Sequence, residues 1–261
     1  MEYETILVTS PEAGIAQITI NRPEMLNALS GQIIQELAQT IDALEEDENV
    51  RVVVITGAGK TFVAGADIAY MVKLSAEEAR VFSADTDAVY ERMGRSKKIY
   101  IAAVNGFALG GGCELALACD LCLASEYAKF GLPEVGLGIL PGGGGTQRLS
   151  QRIGIQKAKE MILTGEYIGA SEALETGLVL RVVPADELIP EARKLAGRIL
   201  KNAPLAVRYA KECIQFSENQ LLLPGIEHEN TLFGLCFAAP DQSEGMTAFL
   251  EKRKPIFQKT V

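Results

Sequence analysis

Apolar and polar positions alternate along the chain in a way that sets out its elements in turn. Within 16–21, Ala16, Ile18 and Ile20 alternate with Gln17, Thr19 and Asn21, the period of a half-buried strand. A Pro-Glu-Ala-Gly turn joins this strand to an earlier one over 5–10. Ile33, Ile34, Leu37, Ile41 and Leu44 then recur at helical spacing within 30–46. The run VRVVVIT at 50–56 is almost wholly β-branched and stops at Gly57, as suits a strand covered on both faces. Ser75 and Glu78 have the spacing of a capping box, which predicts a helix from there to about Arg92. A strand at 101–104, a helix from about Cys113 and a short strand at 121–124 follow. A last apolar run, 178–183, comes after a small helix stopped by Gly177.

Strands alternating with helices across Gly turns predict an α/β fold. After Pro184 the pattern changes to helices alone, over 186–202, 205–217, 226–237 and 243–253. We place a boundary near 197, separating a core of residues 1–197 from a helical C-terminal region, 198–261. The tail helices are rich in apolar residues (Leu221 to Leu223, Leu232, Phe233, Leu235 and Phe237). Packing on the parent core and burial at a subunit interface both account for them.

Composition narrows the classes. At 261 residues with 48% hydrophobic, the chain is long enough to bury a large core. Acidic residues outnumber basic ones 34 to 25, for a net charge of −9, which disfavours a nucleic-acid partner. No apolar run reaches the length of a membrane span, and the first residues carry no signal-peptide or transit-peptide pattern, so a cytoplasmic protein with no membrane partner is expected. Five cysteines do not suggest a disulfide framework. Cys119 and Cys122 form a C-x-x-C without a second pair, and the single histidine, His228, is far away in sequence. Buried inert thiols, a structural histidine and no metal site are the expectation.

Candidate chemistry lies in GFALGGGCELALACD, 106–120. Gly110, Gly111 and Gly112 sit where a strand turns into a helix, so their amides are among the unpaired donors of a helix N-terminus. Such a turn suits a phosphate or a carbonyl oxygen that gains negative charge. A phosphate-loop lysine is absent here and beside PGGGGTQRL at 141–149. Glu114 follows on the first helical turn, where an uncompensated charge would be costly. Glu134 stands after Pro133 among Leu132, Val135, Leu137, Ile139 and Leu140. Two carboxylates in Gly-rich apolar loops suggest an acid and base pair. The turn after the strand in TFVAGADI, 61–68, offers a second main-chain donor at Ala66.

These segments, with NRPEMLNAL at 21–29, FGLPEVGLGILPGGGGTQRL at 130–149, LTGEYIGASEALETGLVLRVV at 163–183 and TAFLEKRKPIF at 247–257, resemble the enoyl-CoA hydratase (crotonase) family over essentially the whole chain. The resemblance implies a spiral of ββα turns, with a helical C-terminal region that forms trimers, commonly paired into hexamers. It implies a short-chain trans-2-enoyl-CoA as substrate, with Ala66 and Gly111 holding the thioester carbonyl and Glu114 and Glu134 handling protons. Met25, Leu26, Ala64, Asp67 and Ile68 are the implied substrate contacts. No cofactor is expected, because coenzyme A is part of the substrate.

Glu24 and Ala69 stand where relatives often carry Lys, which leaves Lys73 or the Lys252–Arg253–Lys254 cluster to meet the CoA phosphates. Rival readings are an enoyl-CoA isomerase, an RNA-binding member of the fold and a silent acyl-CoA binder. Isomerase relatives tend to keep one of the two glutamates. RNA binding would need a basic helix, whereas the 31–48 helix is acidic. Intact glutamates argue against a silent binder.

Overall fold

The computed structural model describes residues 3–219 and 222–258. Strands β1 (Ile6–Glu12) and β2 (Gly14–Ile20) form an antiparallel hairpin. Helix α1 (Gly31–Glu46) is capped by Ser30, which accepts from the Ile33 amide at 3.3 Å, and it buries Ile33, Ile34, Leu37, Ile41 and Leu44. The chain then makes three turns of one pattern. The first is β3 (Val50–Gly57), β4 (Val63–Ala64), α2 (Ile68–Met71) and α3 (Ala76–Arg95). The second is β5 (Ile99–Val104), β6 (Phe107–Leu109) and α4 (Gly111–Ala118). The third is β7 (Leu121–Ser125), β8 (Lys129–Gly131), α5 (Gly145–Ile153) and α6 (Ile155–Thr164). Then come β9 (Ile168–Gly169), α7 (Ala170–Glu175), β10 (Arg181–Val183), α8 (Leu188–Leu200), α9 (Pro204–Asn219), α10 (Leu222–Cys236) and α11 (Pro240–Leu250).

Each turn lays one strand in each of two sheets, the spiral of ββα units that was expected. The larger sheet has the order β1-β2-β3-β5-β7-β10 and is parallel beyond β2. The smaller has the order β4-β6-β8-β9. The β-branched run of β3 is explained by cover on both faces. Val53 and Ile55 join the core that holds α1, α3 and α4. Val52 and Val54 face the other way and pack with Leu188, Ala192, Leu195 and Ala196 of α8.

Several boundaries move. Helix α4 starts at Gly111 rather than near Cys113, and only 181–183 of the last apolar run pair as a strand. The boundary expected near 197 falls inside α8, which is packed against the larger sheet. Helices α10 and α11 begin at 222 and 240, before the expected 226 and 243. Leu221 lies outside the described residues, as do the side chains of Leu222 and Leu223. Leu232 is buried, whereas Phe233, Leu235 and Phe237 stay exposed on the single chain. Among the described residues, no helix is long and apolar enough to cross a membrane.

Candidate active site

The small sheet positions the candidate donors. Val63 pairs with Ala108 and Ala64 with Leu109 in parallel register, so the turns that follow the two strands lie side by side, and a Cβ at Gly110 would come within 3.5 Å of Gly65 Cα. Leu29 fixes both. Its amide donates to Gly65 O and its carbonyl accepts from the Asp67 amide, each at 2.8 Å. A Cβ at Gly111 would lie 2.8 Å from Leu29 Cδ1. Among the described residues, neither the Ala66 nor the Gly111 amide donates to a protein acceptor. The turn exists only because glycine fills it. Gly110 has φ +49°, and a Cβ at Gly112 would lie 2.0 Å from Val63 O, where the start of α4 rests on β4. Gly112→Ala is therefore expected to push α4 off β4 and cost about 2–3 kcal/mol, read as a lowered thermal midpoint. An unchanged midpoint would refute that packing.

The two glutamates flank this turn. Glu114 is only 3% exposed, and its Oε1 accepts from the Gly143 and Gly145 amides, both at 2.8 Å. Burial raises its pKa, and the two amide bonds oppose that by favouring the ionised form. Glu134 follows Pro133 at the start of a short 3-10 turn, 134–137, and is 9% exposed. A Cβ at Gly110 would lie 2.9 Å from its Oε1, so this carboxyl stands directly over the turn. Among the described residues, its Oε2 is buried without a hydrogen-bond partner. Burial pushes the Glu134 pKa up to about 7, and the neighbouring Glu114 charge adds to the shift. One carboxylate is thus held by donors and the other is left poised to carry a proton. That is the division an acid and base pair requires.

Residues 10–260 match the enoyl-CoA hydratase/isomerase family. The chain belongs to that family. It is 50% identical over 258 residues to a crotonyl-CoA hydratase of Syntrophomonas wolfei, covering 98% of this chain and 99% of that one. A short-chain-enoyl-CoA hydratase of Clostridium acetobutylicum is 46% identical over 97% of each chain. A crystal structure of an enoyl-CoA hydratase from Bacillus anthracis matches with a TM-score of 0.94 at 40% identity, covering 98% of this chain and all of that one. The fold is that of the enoyl-CoA hydratases.

Within this family member, the remaining expected site residues gather in two segments that touch. The Ala64 amide donates to Leu26 O at 3.1 Å, joining 25–29 to 64–68. Asn27 holds the first segment in place: its Oδ1 accepts from the Arg22 amide, and its Nδ2 donates to Ala58 O and Thr61 O. Met25, Leu26 and Ile68 present exposed apolar side chains at this junction. Asp67 caps α2 by accepting from the Tyr70 amide and lies 3.6 Å from Arg22, so its carboxylate already has partners. Arg253 is engaged by Glu244 and Glu251, which leaves less of the 252–254 cluster available to a phosphate.

Cys119 and Cys122 are buried, and burial raises both thiols, Cys122 up to about 12. Among the described residues, no group of three or more His, Cys, Asp or Glu side chains is placed to hold a metal. Sequence reasoning missed Gly143 and Gly145 as the partners of Glu114. The glycine run itself was the signal, since a Cβ at either would lie 2.7 Å from a Glu114 carboxylate oxygen.

Proposed function

We propose that this chain is an enoyl-CoA hydratase that adds water across the double bond of a short-chain trans-2-enoyl-CoA, giving the 3-hydroxyacyl-CoA. One observation carries the reading: two buried carboxyls, one held by amides and one with an oxygen that has no hydrogen-bond partner among the described residues, lie beside two turns that each carry an undirected main-chain donor. The Ala66 and Gly111 amides would hold the thioester oxygen, and polarising that carbonyl draws electron density from the β-carbon. Glu114 takes a proton from water as the oxygen adds there, and Glu134 gives its proton to the α-carbon. The enzyme ends with the proton moved from one carboxyl to the other. Met25, Leu26, Ala64, Asp67 and Ile68 would line the bound thioester. The scheme calls on no cofactor beyond the coenzyme A of the substrate.

Loss of the enoyl chromophore of crotonyl-CoA tests this directly. Robust hydration by the parent is expected. Far faster isomerisation of a 3-enoyl-CoA would transfer the assignment to an isomerase.

The exposed Phe233, Leu235 and Phe237 support assembly through the region after 197, as a trimer or a pair of trimers. Elution as a monomer on gel filtration would remove that part of the proposal. A cytoplasmic location fits the absence of a spanning helix among the described residues, and fractionation of cells would test it.

A further inference from the structure

One face of α3 carries Ser83, Asp87 and Tyr90, spaced i, i+4 and i+7, and all three reach the site. Ser83 Oγ donates to Gly142 O at 2.5 Å, and Tyr90 OH donates to Gly111 O at 3.0 Å. Asp87 Oδ1 lies 3.4 Å from Arg148 Nη1, and that same nitrogen donates to Gly143 O at 2.8 Å. Arg148, on α5, also lies with its guanidinium carbon 5.8 Å from the centre of the Tyr90 ring. These contacts surround the loop whose amides hold Glu114. A Cβ at Gly144 would lie 2.1 Å from Arg148 Nη1 and 3.0 Å from Asp87 Oδ1, so the ion pair occupies the space a side chain would take. A run of glycines has no side chains of its own to fix its direction, and here α3 and α5 supply that constraint.

We propose that Arg148, held by Asp87, is a positioning residue for Glu114: it grips the Gly143 carbonyl and so fixes the two amides that orient the carboxylate. This rests on the reading of Glu114 as the group that activates water. The ionisable neighbours of Glu114 are Asp87 and Tyr90 from α3, Arg148 from α5, Glu134 and the adjoining Cys113. Strands β4 and β6 bring no titratable side chain to it. Of these neighbours, the Arg148 cation favours ionised Glu114 and the Asp87 anion opposes it.

The two partners of this ion pair therefore act on Glu114 with opposite sign, which simple packing would not produce. In the unliganded protein, carbon-13 NMR of the Glu114 carboxyl is expected to show its titration moving up by about half a pH unit or more in Arg148→Met. In Asp87→Asn, where Arg148 still reaches Gly143, it moves down. Hydrogen exchange at the Gly143 and Gly145 amides speeds up about tenfold or more in Arg148→Met. Crotonyl-CoA hydration by the same variant loses about tenfold or more in kcat, with KM within about threefold.

Shifts of the same sign in the two variants, or unchanged exchange at both glycines in a folded Arg148→Met, would overturn the proposal. Should Arg148→Met fail to fold, Arg148→Lys, which keeps the charge but shortens the reach to the Gly143 carbonyl, decides by the same exchange measurement: faster exchange at Gly143 and Gly145 supports the proposal and unchanged exchange overturns it. If the parent does not hydrate crotonyl-CoA while titration and exchange move as described, the reaction assignment falls and the positioning role stands.

Discussion

Glu114→Gln and Glu134→Gln are each expected to lower kcat for crotonyl-CoA hydration at least about a hundredfold, a barrier increase of about 2.7 kcal/mol, with little change in KM. The geometry makes these unusually clean substitutions. Both amide bonds to Glu114 end on Oε1, so the amide oxygen of a glutamine can accept them again while its nitrogen replaces Oε2. The side chain stays in place and loses only the ability to take a proton. At Glu134 the orphaned Oε2 has no hydrogen bond to lose, and a glutamine there has no proton to give to carbon. The parent should also show an alkaline limb in kcat/KM near pH 7, because the donor must carry its proton and the Glu134 pKa lies at about 7. Activity falls as pH rises through that value, and the limb should be absent from the residual rate of Glu134→Gln. Either variant keeping more than about a tenth of the parent kcat would remove that glutamate from the mechanism.

Lys211→Met is expected to destabilise the fold by roughly 3–5 kcal/mol. Lys211 reaches from α9 into the spiral, where its Nζ donates to Met93 O at 2.9 Å, Lys98 O at 2.8 Å and Asp120 Oδ2 at 2.9 Å. The side chains of Lys211 and Asp120 are only 6% and 16% exposed, so little solvent screens the pair. Asp120 also accepts from the Tyr100 amide, and the ammonium lies 5.5 Å from the centre of the Tyr100 ring. Removing the amine leaves the buried Asp120 carboxylate with only the Tyr100 amide, and takes the ammonium from two carbonyls, at the junction of α3, β5 and the turn before β7. Burial already raises the Asp120 pKa in spite of the lysine, so the variant should lose most stability above the carboxylate range and recover part of it as acid protonates Asp120. Denaturant titrations at two pH values measure this. A loss below about 1 kcal/mol would mean that α9 is held by something else.

The large sheet was legible because its strands carry a readable pattern, the alternation of β2 and the unbroken apolar runs of β3 and β5, bounded by turns. The small sheet was not. Strands β4, β6, β8 and β9 are only two or three residues long, too short to show a period, and their pairing depends on where the preceding long strand ends. The helix starts at 204 and 240 were displaced for a different reason. Pro204 and Pro240 read as breaks, yet each opens a helix, where a missing amide hydrogen has no bond to forfeit. Pro224 likewise sits in the first turn of α10. At the site, the glutamates and the glycine turn were visible as polar residues in the wrong company. Arg148 and Asp87 were not, because each alone looks like an ordinary surface charge, and only the folded chain pairs them beside Gly143.

The donors proposed at Ala66 and Gly111 belong to peptide groups, not side chains, and this shapes how the protein would tolerate genetic drift. Exchanging Ala66 for another small residue would leave its N–H where it is, whereas at Gly111 any side chain would meet Leu29, so the two amides differ in how freely their codons can drift. Descendants of such a gene could trade away either acid and still inherit a cradle for an acyl oxygen.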